Sequence, residues 1–458
     1  MEGIRLSRLV EGSACITKNG IDTRFLAYET GKEKEMNKDA FEHRKSYTRM
    51  RVTGVDGKPL ANKRISVEQK RHSFLFGVGA FETVELAGGN VGGNPIPVQR
   101  AAQLEDILDK IFALCNYATL PFYWGRYEPA PGKPDEARTI AAAQWLAERG
   151  VAVKGHPLCW HTVCAPWLMR YSDKEILRRQ LARIDREASA FKGLIDIWDV
   201  INEVVIMPIF DKYDNAVTRI CKMLGRVGLI KEVFAAARNA NPQAVLILND
   251  FDISKSYEIL IDGCLQAGVP IDAIGIQSHQ HQGYWGKEKT LETLGRYSTF
   301  GLPIHFTENT IISGEPMPPH IKDLNDWQVD SWQSTPEGEE RQAREVVEMY
   351  EILFAHPLVE AITTWDSTDG RWLKAPSGLL REDNSPKPVY NALLSKIKGE
   401  WFSKTELATD ADGEADMFGF RGDYVVKFGG QTASFALNGR LETPVRLTDG
   451  SASPSDIL

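Results

Sequence analysis

Trp198-Asp199-Val200-Ile201-Asn202-Glu203 is the stretch from which the fold is read. It follows an apolar run (Leu194, Ile195, Ile197) and ends in an Asn-Glu pair just where the apolar pattern stops. A buried strand that delivers a carboxylate at its C-terminal end is how a β/α barrel presents a catalytic group. A strand leading into a helix cap would carry the same residue types, so the neighbouring segments have to decide.

Working outward, short apolar runs alternate with longer helical stretches from Phe74 onward. The expected strands are Phe74–Gly79, Lys110–Ala118, Val151–Cys159, Ile195–Asn202, Ala244–Asn249, Ala273–Gln277, Pro303–Thr307 and Glu360–Trp365. Between them lie helical patterns such as Lys174–Phe191, with Leu177, Leu181, Ile184 and Ala188 on one face and a capping box from Ser172 and Glu175. Thr335-Pro336 reads as an N-cap and first-turn pair ahead of a helix through Glu345–Phe354, and a last helix is expected over Val389–Ile397. Eight strands alternating with helices predict an α/β fold, a (β/α)8 TIM barrel. An open doubly wound sheet is the competing architecture, but no G-x-G-x-x-G follows the first strand.

The flanks have a different texture. Met50-Arg51-Val52-Thr53-Gly54 alternates, Asp56-Gly57-Lys58-Pro59 signals a turn, and Arg64–Gln69 alternates again, which predicts a hairpin. Residues 1–46 are mixed and polar, with short strands and loops expected. Past Trp401 short β runs return, at Thr405–Asp410, Met417–Phe420, Tyr424–Phe428 and Ser434–Leu437. The expected division is an N-terminal β-rich segment (1–73), a catalytic barrel (74–400) and a C-terminal β-rich segment (401–458). The two ends would form one small β-sandwich-like accessory module, its expected role being to brace the barrel.

The 458 residues are 43% hydrophobic and 25% charged, ordinary for a globular protein, and the formal charge of −8 argues against nucleic acid as a partner. No apolar run approaches a membrane span, and the first residues lack the apolar core of a signal peptide. A cytoplasmic location follows for the chain as given, a secreted one if a signal has been removed. The six cysteines show no C-x-x-C, so buried reduced thiols are expected, with a Cys159–Cys164 bridge open. There is no H-E-x-x-H, and the histidines alternate with amides, so neither a metal nor another cofactor is expected.

In a barrel the strand ends share one face, whatever their separation in sequence. Strand three ends in Lys154-Gly155-His156-Pro157-Leu158-Cys159-Trp160-His161, strand four in Asn202-Glu203, strand five in Asn249-Asp250, strand six in Gln277-Ser278-His279, strand seven in Thr307-Glu308-Asn309 and strand eight in Trp365-Asp366, with Trp372 in the next loop. Two glutamates among amides, imidazoles and indoles suit glycoside hydrolysis, which needs one protonated and one ionised carboxyl and polar partners for sugar hydroxyls. His156 and His161 could equally satisfy loop backbone.

These motifs resemble glycoside hydrolase family 10, the β-xylanase family, over roughly Phe74 to Ile397, together with Leu379-Leu380 and Pro386-Lys387-Pro388. The resemblance implies a retaining double displacement on a polysaccharide or oligosaccharide, most simply an endo-β-1,4-xylanase. Glu203 matches the family's acid/base and Glu308 its nucleophile. Asn202 matches the residue at the sugar 2-hydroxyl, and His279, with Gln277 beside it, the histidine near the nucleophile. His156 and Trp160 match the wall of the subsite next to the cleaved bond, and Trp365 its indole platform; Lys154 and Trp372 fall within the matching motifs. A departure follows strand two, where the family carries a Glu-Asn pair and then Lys-Trp that contact the second sugar. Here Leu120-Pro121-Phe122-Tyr123-Trp124 lacks the Glu-Asn pair and has Tyr123 in place of the lysine. The same chemistry on another β-glycan is therefore the alternative within the class, and a non-catalytic glycan-binding barrel the alternative outside it.

Overall fold

The computed structural model describes residues 38–89, 91 and 95–449. Strands β1 (Lys45–Thr53) and β2 (Arg64–His72) precede the barrel. The barrel then runs β3 (Leu75–Gly79), α1 (Glu82–Gly88), α2 (Val98–Leu114), β4 (Tyr117–Pro121), α3 (Trp124–Tyr127), α4 (Glu136–Ala147), β5 (Ala152–His156), α5 (Asp173–Ala190) and β6 (Ile197–Asn202). It continues through α6 (Ala216–Leu224), α7 (Arg226–Ala240), β7 (Val245–Asp250), α8 (Lys255–Gln266), β8 (Ala273–Gln280), α9 (Gly286–Tyr297), β9 (Ile304–Ile311), α10 (Pro336–Ala355), β10 (Val359–Thr364) and α11 (Pro388–Ser395). Strands β3 to β10 pair in parallel and close into a barrel, β10 meeting β3. The capping signals hold locally. Ser172 accepts from the Glu175 amide at the start of α5, and Thr335 accepts from the Gly338 amide ahead of α10.

The second strand differs from its expected span. Lys110–Leu114 ends a helix, and β4 begins only at Tyr117. The apolar run Ile111–Leu114 completes a helical stripe, Leu104, Ile107, Leu108, Ile111 and Leu114, whose members are all buried. A short apolar run fits either period, and the three- and four-residue spacing of the longer stretch wins.

Six more strands follow the barrel: β11 (Lys404–Ala408), β12 (Glu414–Phe420), β13 (Gly422–Phe428), β14 (Gln431–Leu437), β15 (Glu442–Arg446) and β16 (Thr448–Asp449). They combine with the N-terminal strands into two sheets, ordered β12-β1-β15 and β11-β2-β13-β14-β16. The hairpin expected from β1 and β2 does not form. Each strand enters a different sheet, because their inward residues (Met50 and Val52, Ile65 and Val67) face one another across a shared core with Met417, Tyr424, Val426 and Leu437. Alternation along a strand fixes which side is buried but not its partner. Of the mixed segment 1–46, residues 1–37 lie outside the described residues. Lys38–Arg44 forms a 3-10 helix, and Lys45 opens β1. Arg44 then reaches the barrel, donating to the carbonyls of Phe354, His356 and Val359. Among the described residues no helix is long and apolar enough to cross a membrane, and all five described cysteines, Cys159 and Cys164 included, are free thiols.

Candidate active site

Strands β6 and β9 each deliver one glutamate to the mouth of the barrel, and two register shifts aim them. Between β6 and β7 the pairing slips after Asp199, so that Asn202 comes opposite Asn249. Between β8 and β9 it slips after Ile276, bringing Gln277 opposite Glu308. An extra residue in one strand re-aims the side chains beyond it, and here it turns polar groups from neighbouring strands toward each other. Glu203, one residue past β6, has φ +57°, a left-handed conformation rarely adopted by non-glycine residues, and its amide donates to the Asn249 carbonyl at 2.9 Å.

The two carboxyls are joined by amides. Asn249 Nδ2 donates to Glu308 Oε1 at 3.0 Å and to Asn202 Oδ1 at 2.7 Å. Asn202 Nδ2 in turn donates to Glu203 Oε1 at 3.1 Å, and Gln277 Nε2 donates to both Asn202 Oδ1 (2.9 Å) and Glu203 Oε1 (3.2 Å). Trp160 Nε1 donates to the other oxygen of Glu203 at 2.8 Å. On the opposite carboxylate, His279 Nε2 donates to Glu308 Oε2 at 3.1 Å, while its Nδ1 meets the Thr310 hydroxyl at 3.1 Å.

Their environments drive the two glutamates apart. Burial, then the charge of Glu308, pushes the Glu203 carboxyl up to about 8, overcoming the hydrogen bonds from Trp160 and Gln277. Burial also opposes ionisation of Glu308, but His156, His279 and Lys154 outweigh it and hold that carboxyl below the ordinary value. Near neutral pH the pair therefore carries one proton, on Glu203.

Beneath the mouth lies a charged support. Asp199 and Lys154 are fully buried with Lys154 Nζ 2.7 Å from Asp199 Oδ2, and His156 Nδ1 donates to the same oxygen at 2.7 Å. This turns His156 Nε2 toward Glu308 Oε1, 3.9 Å away. Lys154 thus meets Asp199 rather than the open cleft. The walls are aromatic. Trp365 stands edge-on to His156 and His279 with centroids 5.2 and 6.1 Å apart, Trp372 lies 4.6 Å from His279, and Tyr123 lies 5.7 Å from His156 and 5.5 Å from Trp160. All eleven residues singled out from the sequence (Tyr123, Lys154, His156, Trp160, Asn202, Glu203, Gln277, His279, Glu308, Trp365 and Trp372) fall within this one network. Among the described residues no group of three His, Cys, Asp or Glu side chains has the arrangement of a metal site.

The family model for glycosyl hydrolase family 10 matches residues 121–396, about three-fifths of the chain. The chain belongs to glycosyl hydrolase family 10. Endo-1,4-beta-xylanase B of Thermotoga neapolitana is 28% identical over 287 residues, covering 59% of this chain and 76% of that protein. Beta-1,4-xylanase of Dictyoglomus thermophilum is 28% identical over 262 residues, covering 55% and 70%. The crystal structure of xylanase 10B from Thermotoga petrophila with xylobiose superposes with a TM-score of 0.56 at 23% identity, covering 71% of this chain and 94% of that one, which shows the shared fold. This family 10 chain is a glycoside hydrolase built on a (β/α)8 barrel.

Four residues of the network were not singled out as site residues from the sequence. Asn249 links the Glu308 carboxyl to Asn202, Asp199 anchors His156 and Lys154, Thr307 Oγ1 donates to Asn249 Oδ1 at 2.6 Å, and Phe81 packs on Tyr123 and Trp365. Asn249 and Thr307 were legible as strand-end polar residues, and Asp199 as a charge inside an apolar strand, which demands a buried partner. Phe81 carried no signal, since an aromatic after a strand is more often core.

Proposed function

We propose that this family 10 enzyme cleaves β-1,4-linked xylan chains internally by double displacement with retention, Glu308 acting as nucleophile and Glu203 as acid/base. The observation that carries it is the opposed ionisation of two buried carboxyls tied together by Asn249, Asn202 and Gln277. Glu308 attacks the anomeric carbon while Glu203 gives its proton to the departing glycosidic oxygen. Forming the glycosyl ester consumes the charge on Glu308, and with it the repulsion that helps keep Glu203 protonated. The Glu203 carboxylate is then free to take a proton from the incoming water as that water displaces Glu308, and the pair returns to its starting state. Asn202 lies on the hydrogen-bonded path between the two carboxyls, where the sugar 2-hydroxyl would sit, and the indoles of Trp160 and Trp365 offer apolar ring surface around His156.

Support for xylan comes from the relatives, whose names are those of xylanases. Tyr123 and the apolar residues around it favour a second reading, the same chemistry on another β-glycan, because sites built on hydrogen bonds and sites built on rings select differently. Incubating the full chain with xylan and with other β-glycans, with proton NMR of the first product anomer, tests the proposal. Xylan cleavage with the β-anomer appearing first, lost in Glu308→Gln, is the expected result. An α-anomer appearing first rejects the mechanism, and cleavage of another β-glycan but not xylan rejects the substrate. Full activity in Glu308→Gln removes it from the nucleophile role.

A further inference from the structure

A chain cut between Glu203 and Glu308 has to pass between them. Glu203 follows β6 and Glu308 lies on β9, with β7 and β8 between, so at one end the passage leaves the mouth over the ends of β7 and β8. The long loop 312–335, after β9, borders that exit. It lies across the end of β8, where the Met317 amide donates to the His281 carbonyl at 2.8 Å. There Gln282 Nε2 also donates to the carbonyls of Pro318 and Ile321, at 3.0 and 2.7 Å. The loop then reaches the one after β6, where Lys212 Nζ stands 2.6 Å from both Asp323 Oδ2 and Asp326 Oδ1. Beyond β10, Lys374 Nζ donates to the carbonyls of Val329 and Asp330, each at 3.1 Å. Side chains from three neighbouring loops thus hold it at the rim.

A run of rings leads onto this loop from the two glutamates. His279, bonded to Glu308, lies 4.6 Å from Trp372, and Trp372 meets His281 at 5.1 Å. His281 then meets Trp332 at 5.9 Å, and Trp332 meets Trp327 at 6.0 Å. Trp327 and Trp332 are half-buried, so each leaves part of an indole open at the rim. His281 Nε2 and Trp327 Nε1 are shielded and have no hydrogen-bond partner among the described residues, which costs free energy unless a polar group reaches them. A hydroxyl delivered as the loop adjusts would supply one. Indole surface beside unused ring nitrogens suits a sugar, which is apolar on its ring faces and hydroxylated around its edge. Lys212 is already neutralised by two aspartates, so the rim favours a neutral glycan over a charged partner.

Resting on the reading that the glutamates cleave a β-glycan internally, we infer that Trp327 and Trp332 form a further glycan subsite at this end of the cleft, holding a sugar beyond those that flank the cleaved bond. The run of rings makes it continuous with the site around Glu308. Internal cleavage leaves polymer on both sides of the bond, and contact with those remote sugars helps hold the reacting one in place. Neither indole is a catalytic group. Lys212 is a positioning residue, acting through Asp323 and Asp326 on the loop that carries them.

The test follows kcat/KM along β-1,4-xylo-oligosaccharides from two to six sugars, or the matched series from whichever β-glycan is cleaved, with the nitrophenyl monosaccharide glycoside as the shortest substrate. Trp332→Ala and Trp327→Ala should each lower kcat/KM for the six-sugar chain about 3–10-fold, the worth of a ring contact, mainly through KM, with the shortest substrate little changed. Trp332→Phe loses the indole N–H that donates to the Glu315 carbonyl at 2.9 Å but keeps a ring, and should retain most of the six-sugar activity. Lys212→Ala should show a smaller loss of the same kind. Binding of the six-sugar chain to Glu308→Gln, read by calorimetry, should weaken by a similar factor when Trp332→Ala is added. Equal losses on the shortest and longest substrates, or a Trp332→Phe variant as impaired as Trp332→Ala, would make the indoles structural and overturn the inference. So would unchanged binding in the double variant. Binding that follows the expected pattern without hydrolysis of any chain by the unaltered protein would reject the proposed cleavage and leave the subsite standing.

Discussion

At the scale of single residues, the proposed mechanism turns on which glutamate keeps its proton. The proposed mechanism requires Glu308 ionised and Glu203 protonated, so kcat/KM should be bell-shaped in pH. Its acid limb lies below the ordinary glutamate range and its basic limb near the value of about 8 to which burial and Glu308 bring Glu203. Trp160 stabilises the ionised form of Glu203 through its indole N–H, 2.8 Å away. Trp160→Phe should therefore move the basic limb of the pH–rate profile upward while leaving the acid limb in place. Glu203→Gln should cost about 10²–10⁴-fold on substrates with poor leaving groups and much less on activated aryl glycosides, which need no proton. Beneath the pair, Asp199→Asn would leave the Lys154 ammonium buried without a counter-charge, a loss of about 3–5 kcal/mol. Urea denaturation checks this, and adding Lys154→Met should recover part of the loss. The Asp199 carboxyl is held below its ordinary value because Lys154 and His156 together outweigh its burial. Its contribution is thus fully present above the unfolded-state value and is lost as pH falls through the folded one.

At the scale of elements, the loops that carry Tyr123 and Trp160 are fastened from below by α5. The expected apolar face of that helix is only part of its buried side. Leu177 and Leu181 are half-buried, while Gln180, Arg183 and Glu187 are buried along with Ile184 and Ala188. Gln180 Nε2 donates to the Leu158 carbonyl at 3.0 Å, and the Arg183 guanidinium donates to the carbonyls of Leu158 and Phe122. These two loops leave the barrel without strand partners for those carbonyls, and α5 supplies the donors. Arg183→Met should cost about 1–3 kcal/mol by leaving a buried carbonyl unpaired, read by denaturant unfolding, and should raise KM more than it lowers kcat because the aromatic wall shifts. Periodicity could not show this role, since it registers apolar residues and treats a buried arginine as a break. The register shifts at Asp199 and Ile276 were likewise invisible, because a bulge depends on the neighbouring strand.

At the scale of the whole molecule, the chain leaves and re-enters one pair of sheets, with the barrel between. Trp401 packs in the barrel's core cluster, just before the chain re-enters the sheets. It is fully buried, with its ring 4.6 Å from Phe354, 5.8 Å from Phe41 and 6.0 Å from Phe76. Trp401→Ala should destabilise the fold by about 3–5 kcal/mol and lower the thermal midpoint, while kcat at low temperature stays near that of the unaltered chain, since the cluster lies away from the glutamates. Retained stability would show that this ring cluster contributes little to the fold.

The sequence by itself determined the eight-strand α/β alternation, the two glutamates at the ends of the fourth and seventh strands, and the company of amides, imidazoles and indoles around them. Those features are written in local periodicity and in residue type, which need no knowledge of neighbours. Only the tertiary structure showed that burial and the charge of Glu308 raise the Glu203 carboxyl, that Asn249 links Glu308 to Asn202, that β1 and β2 enter different sheets, and that Phe81 packs on Tyr123 and Trp365. Each of these depends on burial, register or charge at close range between segments distant in the chain.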